Sequence, residues 1–267
     1  MRHSLVLTTY NRPDALALVL ASVLQQTVPP GEVLVADDGS GEPTAAVMRT
    51  VGPRFAGRAI PLHHVWQPDE GFRAAAIRNR ALARACGEYV LLIDGDCILH
   101  PDFVRSHVAF ARPGQFVQGT RALLKESRAA RALAAGETRF GAFERGVGNR
   151  MNALPLGWLS PFVPTPDDPL KGVRSCNMGF WLTDAKRVNG FNERFVGWGR
   201  EDSEFVARLV NAGVRRRKLK FGGIMYHLWH PERPRDALEA NDELLAAVRR
   251  ADATWAEDGM DKYSSTV

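Results

Sequence analysis

The chain has 267 residues, 45% of them hydrophobic, enough to bury one large core or two closely packed lobes. No stretch approaches the roughly 18 uninterrupted apolar residues of a membrane span. Leu5-Val6-Leu7 is too short for a signal-peptide core, so a cytoplasmic protein is expected; three cysteines (Cys86, Cys97, Cys176) without metal-type spacing fit that reducing compartment, and a pI of about 9.4 with net charge +5 favours anionic partners.

In chain order, Leu5–Thr9 reads as a buried strand. Pro13–Gln26 reads as a helix, with Leu16, Val19, Leu20, Val23 and Leu24 on helical spacing. Glu32–Ala36 is a second strand ending at Asp37-Asp38-Gly39-Ser40, followed by a helix over Pro43–Val51 and a strand over Leu62–Gln67. A helix over Ala74–Cys86 leads into the apolar run that stops at Asp94-Gly95-Asp96, and Ile98–Asp102 turns the chain into a further helix. Strands alternating with helices predict an α/β, mostly parallel sheet. Phe116–Leu170 is less regular. Within it Arg121–Arg150 holds seven basic residues against three acidic ones, and Pro155–Pro169 is rich in proline and aromatics, with Trp158 and Phe162 expected near the surface. A strand follows at Ser175–Leu182, a helix at Glu201–Ala212, a strand at Ile224–Trp229 and a packing helix at Asp236–Trp255.

Polar residues collect where these strands end, which is where open α/β sheets bind ligands. Thr8-Thr9-Tyr10-Asn11-Arg12 offers a hydroxyl and a ring to cradle a base, and Asp37-Asp38 offers a carboxylate to a base N–H. Glu70-Gly71-Phe72-Arg73 precedes a helix bearing Arg78 and Asn79, where a cation can meet phosphate. Asp94 and Asp96, one glycine apart at a strand end, suit a hard divalent cation that keeps water and phosphate oxygens as its other ligands. The glycine-rich dinucleotide fingerprint is missing.

Together these stretches resemble the family 2 glycosyltransferases of GT-A fold over residues 4 to 110. A second block, Asn189-Gly190-Phe191-Asn192 and Gly197-Trp198-Gly199-Arg200-Glu201-Asp202, resembles the carboxyl-terminal half of β-1,4-galactosyltransferases and chondroitin-polymerase-like enzymes. The resemblance implies a Rossmann-like nucleotide-sugar half (1–112), continuous with a smaller acceptor-binding half (113–235), then a helical tail (236–267). It implies a metal-dependent, inverting hexosyltransferase that moves sugar from a UDP-sugar, galactose-type favoured, to a hydroxyl of lipopolysaccharide or capsule.

Carried onto this sequence, Thr8, Tyr10, Arg12 and Asp38 would hold the uracil-type nucleotide and Arg78 the diphosphate. Asp96 would bind Mn2+ or Mg2+, with Asp94 on the ribose or the same ion. Asp202 would be the general base, Glu201 would hold an acceptor hydroxyl, and Trp198 would be the acceptor platform, which Gly197 and Gly199 let the backbone approach. A histidine on the last strand would complete the metal site. A regular strand puts His227 and His230 on opposite faces, so one of them is expected on the ion; His227 is favoured, because it follows the apolar strand where the resemblance suggests, with His230 as the alternative or on phosphate from the loop beginning at Pro231. Arg200 stands where galactosyltransferases often have a small residue, so donor and acceptor identity are not inherited.

Two other readings were weighed. A sugar-nucleotide nucleotidyltransferase needs an early basic cluster, and Thr8–Pro13 offers only Arg12. A nucleic-acid-binding protein fits the pI but lacks zinc spacing, an aromatic RNA signature and a basic recognition helix. The expected partners are therefore a donor nucleotide, a glycan or glycolipid acceptor and, through Arg121–Arg150 with its neighbouring aromatics, an anionic membrane surface, with no nucleic acid.

Overall fold

The computed structural model describes residues 1–231 and 235–263. The first half alternates strand and helix as its periodicity predicts: β1 (His3–Thr9), α1 (Pro13–Val23), β2 (Glu32–Asp37), α2 (Glu42–Ala56), β3 (Leu62–Trp66), α3 (Ala74–Arg84) and β4 (Tyr89–Asp94). Then come β5 (Cys97–Leu99), α4 (Phe103–Phe110), β6 (Gln115–Gln118), β7 (Ala122–Leu124), α5 (Glu126–Ala135) and β8 (Val147–Gly148). Short 3-10 turns at Arg150–Ala153 and Gly157–Phe162 lead to β9 (Asn177–Trp181), α6 (Leu182–Arg187), α7 (Glu201–Asn211), β10 (Arg215–Lys218), β11 (Met225–His227) and α8 (Leu238–Arg250).

Seven strands form the main sheet in the order β10-β6-β9-β4-β1-β2-β3. β1, β2, β3 and β4 are parallel, and β9 runs antiparallel between β4 and β6. Parallel strands covered on both faces need apolar residues at nearly every position. β1, β2 and β4 have them: Leu5, Leu7, Val33 and Val35 pack with α1 and α2, while Val6, Leu34, Ala36 and Leu92 pack with α3 and α7. The second block is thus woven into the same sheet, with its β9 paired directly to β4.

The region expected to be irregular supplies β7 and β8 to a second sheet of four strands, β5-β11-β7-β8. Before the expected helix, which forms as α4, β5 takes up the first part of the turn. It has three residues, and so short a run carries no period that a sequence can show. Its antiparallel partner β11 puts His227 opposite Cys97, so this sheet builds the floor of the site.

The Asn189-Gly190-Phe191-Asn192 stretch fastens the two blocks together. Asn189 and Gly190 adopt positive φ, and Arg208, ion-paired to Glu204 at 2.7 Å with neither side chain exposed, donates to the Gly190 carbonyl at 2.8 Å. Asn79 of α3 brackets Phe191, accepting from its N–H and donating to its carbonyl, both at 2.7 Å. Buried amides paired on both sides in this way leave no unsatisfied polar group in the seam.

Candidate active site

The carboxyl ends of β1, β2 and β4 converge as the sequence predicts, with Thr8 in register with Asp94. The Gly95 N–H donates to the Thr8 carbonyl at 2.7 Å, and a Cβ on Gly95 would stand 2.9 Å from that oxygen. Only glycine lets the two aspartates fold back this tightly against β1. At the end of β2, Asp38 is buried and already accepts from Gln67 Nε2 at 2.6 Å and the Arg73 N–H at 2.8 Å. Burial raises its carboxyl above the ordinary value, against the pull of those donors. Tyr10 Oη donates to Asp69 at 2.8 Å, and Arg12 lies 3.6 Å from Asp14.

Arg78 is only 4% exposed. Its guanidinium donates to Glu201 at 2.9 Å, Ser175 Oγ at 2.9 Å and Thr8 Oγ1 at 3.3 Å, and lies 3.7 Å from Asp94. The sequence places this residue on the diphosphate. In the structure it ties residues of the first block (Thr8, Asp94) to residues of the second (Ser175, Glu201).

Both late histidines reach Asp96: His227 Nε2 at 3.5 Å from Oδ1 and His230 Nε2 at 3.3 Å from Oδ2, their rings 5.1 Å apart. The expectation that strand alternation separates them is therefore wrong. β11 stops at His227, the Leu228 N–H donates to the Asp96 carbonyl at 2.9 Å, and the chain curls back round the aspartate. Part of the loop beginning at Pro231 (232–234) lies outside the described residues. Cys97, which the sequence leaves without a metal role, also joins: its Sγ, an Asp96 oxygen and a His227 nitrogen lie within 4.8 Å of one another.

Burial, then Arg121, lowers the His227 imidazole to about 4, so it stays neutral and able to ligate near pH 7. Asp96 with two imidazoles, and the Cys97 thiol close by, offers donors that a divalent metal takes. The residues thus fit the divalent metal that the resemblance implies.

Glu201 and Asp202 open α7 and take different roles from different surroundings. Glu201 is held in the Arg78 ion pair. Asp202 accepts from the Ser175 N–H at 3.2 Å and the Ser203 N–H at 2.6 Å. Burial, then the charge of Glu201, pushes its carboxyl up to about 7. Two carboxylates with surroundings this different suit the division of an anchor from a base.

Trp198 is 40% exposed on a loop where Gly197, Gly199 and Arg200 all have positive φ. Arg235 lies over its ring at 5.3 Å. The buried Asn241 of α8 fixes the loop, donating to the carbonyls of Gly199 at 2.9 Å and Val196 at 3.3 Å. Sequence reasoning missed Asn241, Ser175 and Arg121. Arg121 stood in a basic stretch read as surface, yet its guanidinium is 3.9 Å from Cys176 Sγ and faces Asp94.

The family model for glycosyl transferase family 2 matches residues 4–159, and one described as the N-terminal domain of galactosyltransferase matches residues 163–231. Hyaluronan synthase of Pasteurella multocida is 29% identical over 260 residues, covering 90% of this chain and 25% of the synthase. The chain spans about a quarter to a half of the length of the curated relatives it matches over most of its own length.

Among solved structures, S. aureus TarS 1-349 in complex with UDP-GlcNAc superposes with a TM-score of 0.62 at 18% identity, covering 99% of this chain and 71% of that one. The mannosyltransferase PcManGT from Pyrobaculum calidifontis, in complex with GDP-Man and Mn2+, gives 0.60 at 19% identity, covering 94% and 64%. Neither the nucleotidyltransferase nor the nucleic-acid reading gains support from these matches. With the fold shared and the first family model matching more than half of its residues, the chain belongs to glycosyl transferase family 2 and has the GT-A fold.

Proposed function

We propose that the chain transfers a hexose or N-acetylhexosamine, galactose-type favoured, from a UDP-sugar to a hydroxyl of a bacterial surface glycan such as lipopolysaccharide or capsule. The reaction inverts the anomeric centre, depends on a divalent metal and is served at an anionic membrane surface on the cytoplasmic side. The observation that carries the reading is the pairing of Asp202, a carboxylate near neutrality, with Glu201 held by Arg78 beside the strand end bearing Asp94 and Asp96. The likeness to a hyaluronan synthase supports a polysaccharide acceptor, and the UDP-GlcNAc complex of TarS supports a uridine donor.

In this reading Asp202 takes the proton of the acceptor hydroxyl as its oxygen attacks the anomeric carbon. Glu201, held in its Arg78 pair, orients the hydroxyl, with Trp198 beneath the sugar ring. Thr8, Tyr10, Arg12 and Asp38 line the nucleotide side, where Asp38 accepts a base N–H in exchange for one of its internal donors. Asp96, His227 and His230 would hold Mn2+, with Asp94 beside them; the ion offsets charge on the departing diphosphate. The test is a panel of UDP-sugars with manganese, read as UDP release. One or two sugars turning over far faster than the rest supports the reading, and hydrolysis of none overturns it.

A further inference from the structure

We propose that the basic edge strand β10 and the aromatic turn packed beside it form an interfacial anchor for an anionic lipid bilayer, placed at the mouth of the active site. This rests on the reading of a peripheral transferase and relocates its membrane contact. Two of the seven cations in the stretch that the sequence favoured, Arg121–Arg150, are committed within the protein. Arg128 is only 2% exposed, ion-paired to Glu137 at 2.8 Å and Glu144 at 2.6 Å and stacked on Phe140, while Arg121 turns toward the site.

β10 is different. Lys218 closes the strand and Lys220 follows two residues past its end, while Arg216 donates to the carbonyls of Pro169 and Lys171, so the two lysines are the cations left to a surface. No acidic residue occurs between Glu204 and Glu232, and among the described residues neither Lys218 nor Lys220 has a carboxylate within 4.0 Å. Burial, and then the like charges of Lys220 and Arg216, pulls the Lys218 ammonium below its ordinary value. An anionic surface relieves that crowding.

The turn Gly157–Phe162 is fastened to this strand's end. Ser160, 1% exposed, donates its hydroxyl to the Lys220 carbonyl, and Gly157 packs against Phe221 and Gly222. On either side of that anchor Trp158 is 70% exposed and Phe162 79%. No acidic residue lies between Glu144 and Asp167. Charged edge strands guard against sheet-to-sheet pairing, but an exposed tryptophan and phenylalanine beside one do the opposite, so edge protection does not explain the patch. Cations beside interfacial aromatics match the headgroup region of a bilayer, where indole rings settle at the water boundary.

Register fixes where the patch lies. Lys218 is in register with Gln118, Gln118 with Met178, and Met178 with Leu92, two residues before Asp94. Three strand spacings put it about 14 Å from β4, at the end of the sheet that holds the site. A lipid-borne acceptor lying in the bilayer surface would thus enter from the bound side.

Vesicle flotation of the full chain tests the proposal, with phosphatidylcholine vesicles against vesicles that also contain phosphatidylglycerol. Wild type should float with the anionic vesicles alone and release as salt rises. Trp158→Ser with Phe162→Ser, and separately Lys218→Glu with Lys220→Glu, should each lower the bound fraction about tenfold. Arg131→Glu with Arg139→Glu should leave it unchanged. These pairs lie outside the catalytic residues and should hydrolyse free UDP-sugar as wild type does. Absence of binding at low salt overturns the anchor, as does full binding without the aromatics. Lysine-dependent binding of soluble hyaluronan that ignores the aromatics would instead assign the patch to a polymeric acceptor. Hydrolysis by wild type is read separately, so a failed catalytic reading stays distinguishable from a failed anchor.

Discussion

Ionisation of Asp202 should set the pH profile of turnover. Burial, then Glu201, pushes its carboxyl up to about 7, while Arg78 and the N–H groups of Ser203 and Ser175 hold it from rising further. Such a base is ~9% ionised at pH 6 and ~91% at pH 8, so UDP release at saturating donor and manganese should rise about tenfold across that range. Asp202→Asn keeps the shape but cannot accept a proton, so turnover should fall by about 10² or more, with donor affinity unchanged by calorimetry. Stability should move the other way. Because the folded value lies above the ordinary one, the contribution of Asp202 is complete below ~4 and lost as pH rises through ~7. At pH 8 the Asn variant should therefore melt no earlier than wild type. Near-normal turnover by the variant, or an acid limb that persists in it, would remove Asp202 from the mechanism and promote Glu201.

Asp96→Ala should abolish manganese-dependent binding of a UDP-sugar while leaving the melting curve intact; equal affinity with manganese or chelator in both proteins would sink the metal role. His227→Ala and His230→Ala should each weaken that binding by about tenfold or more, since both rings touch Asp96, and a silent His230 variant would return the site to one histidine. Gly95→Ala presses a methyl onto the Thr8 carbonyl, so it should cost about 1–3 kcal/mol in urea unfolding and loosen metal binding with it. Arg128→Ala should lower stability by about 2 kcal/mol without touching donor binding, because its pairs with Glu137 and Glu144 are structural.

The nucleotide half was legible because its physics is local. β1, β2 and β4 each carry an unbroken apolar run (Leu5–Leu7, Val33–Ala36, Tyr89–Ile93) that ends abruptly in polar residues, a pattern that a parallel sheet buried on both faces requires. The Gly197–Asp202 block was legible for a related reason: a tryptophan between two glycines, followed by two carboxylates, has few uses. What stayed hidden depends on pairing between distant segments. β5 has three residues and owes its existence to β11, more than a hundred positions later. Both histidines on Asp96 follow from where β11 stops, which alternation over a strand of assumed length could not show. The burial of Arg128 is tertiary as well, since a basic residue with a glutamate nearby in sequence looks the same whether solvated or enclosed.

Arg78 explains why the two blocks act as one site. A buried guanidinium without partners would be costly, and each of these four polar neighbours comes from a different segment: Thr8 near the end of β1, Asp94 at the end of β4, Ser175 before β9 and Glu201 at the start of α7. The same cation lowers the proton affinity of Asp94 and of Asp202, so it acts on both strand end and helix start. Glu201 is its closest carboxylate, at 2.9 Å, and in the proposed reading that commitment leaves Asp202 to exchange the proton. A lysine at this position would keep the charge but lose the fork that spans four segments. The arginine is thus specified by geometry as much as by sign, and it sets the spacing between the strand end that bears Asp94 and the helix start that bears Glu201 and Asp202.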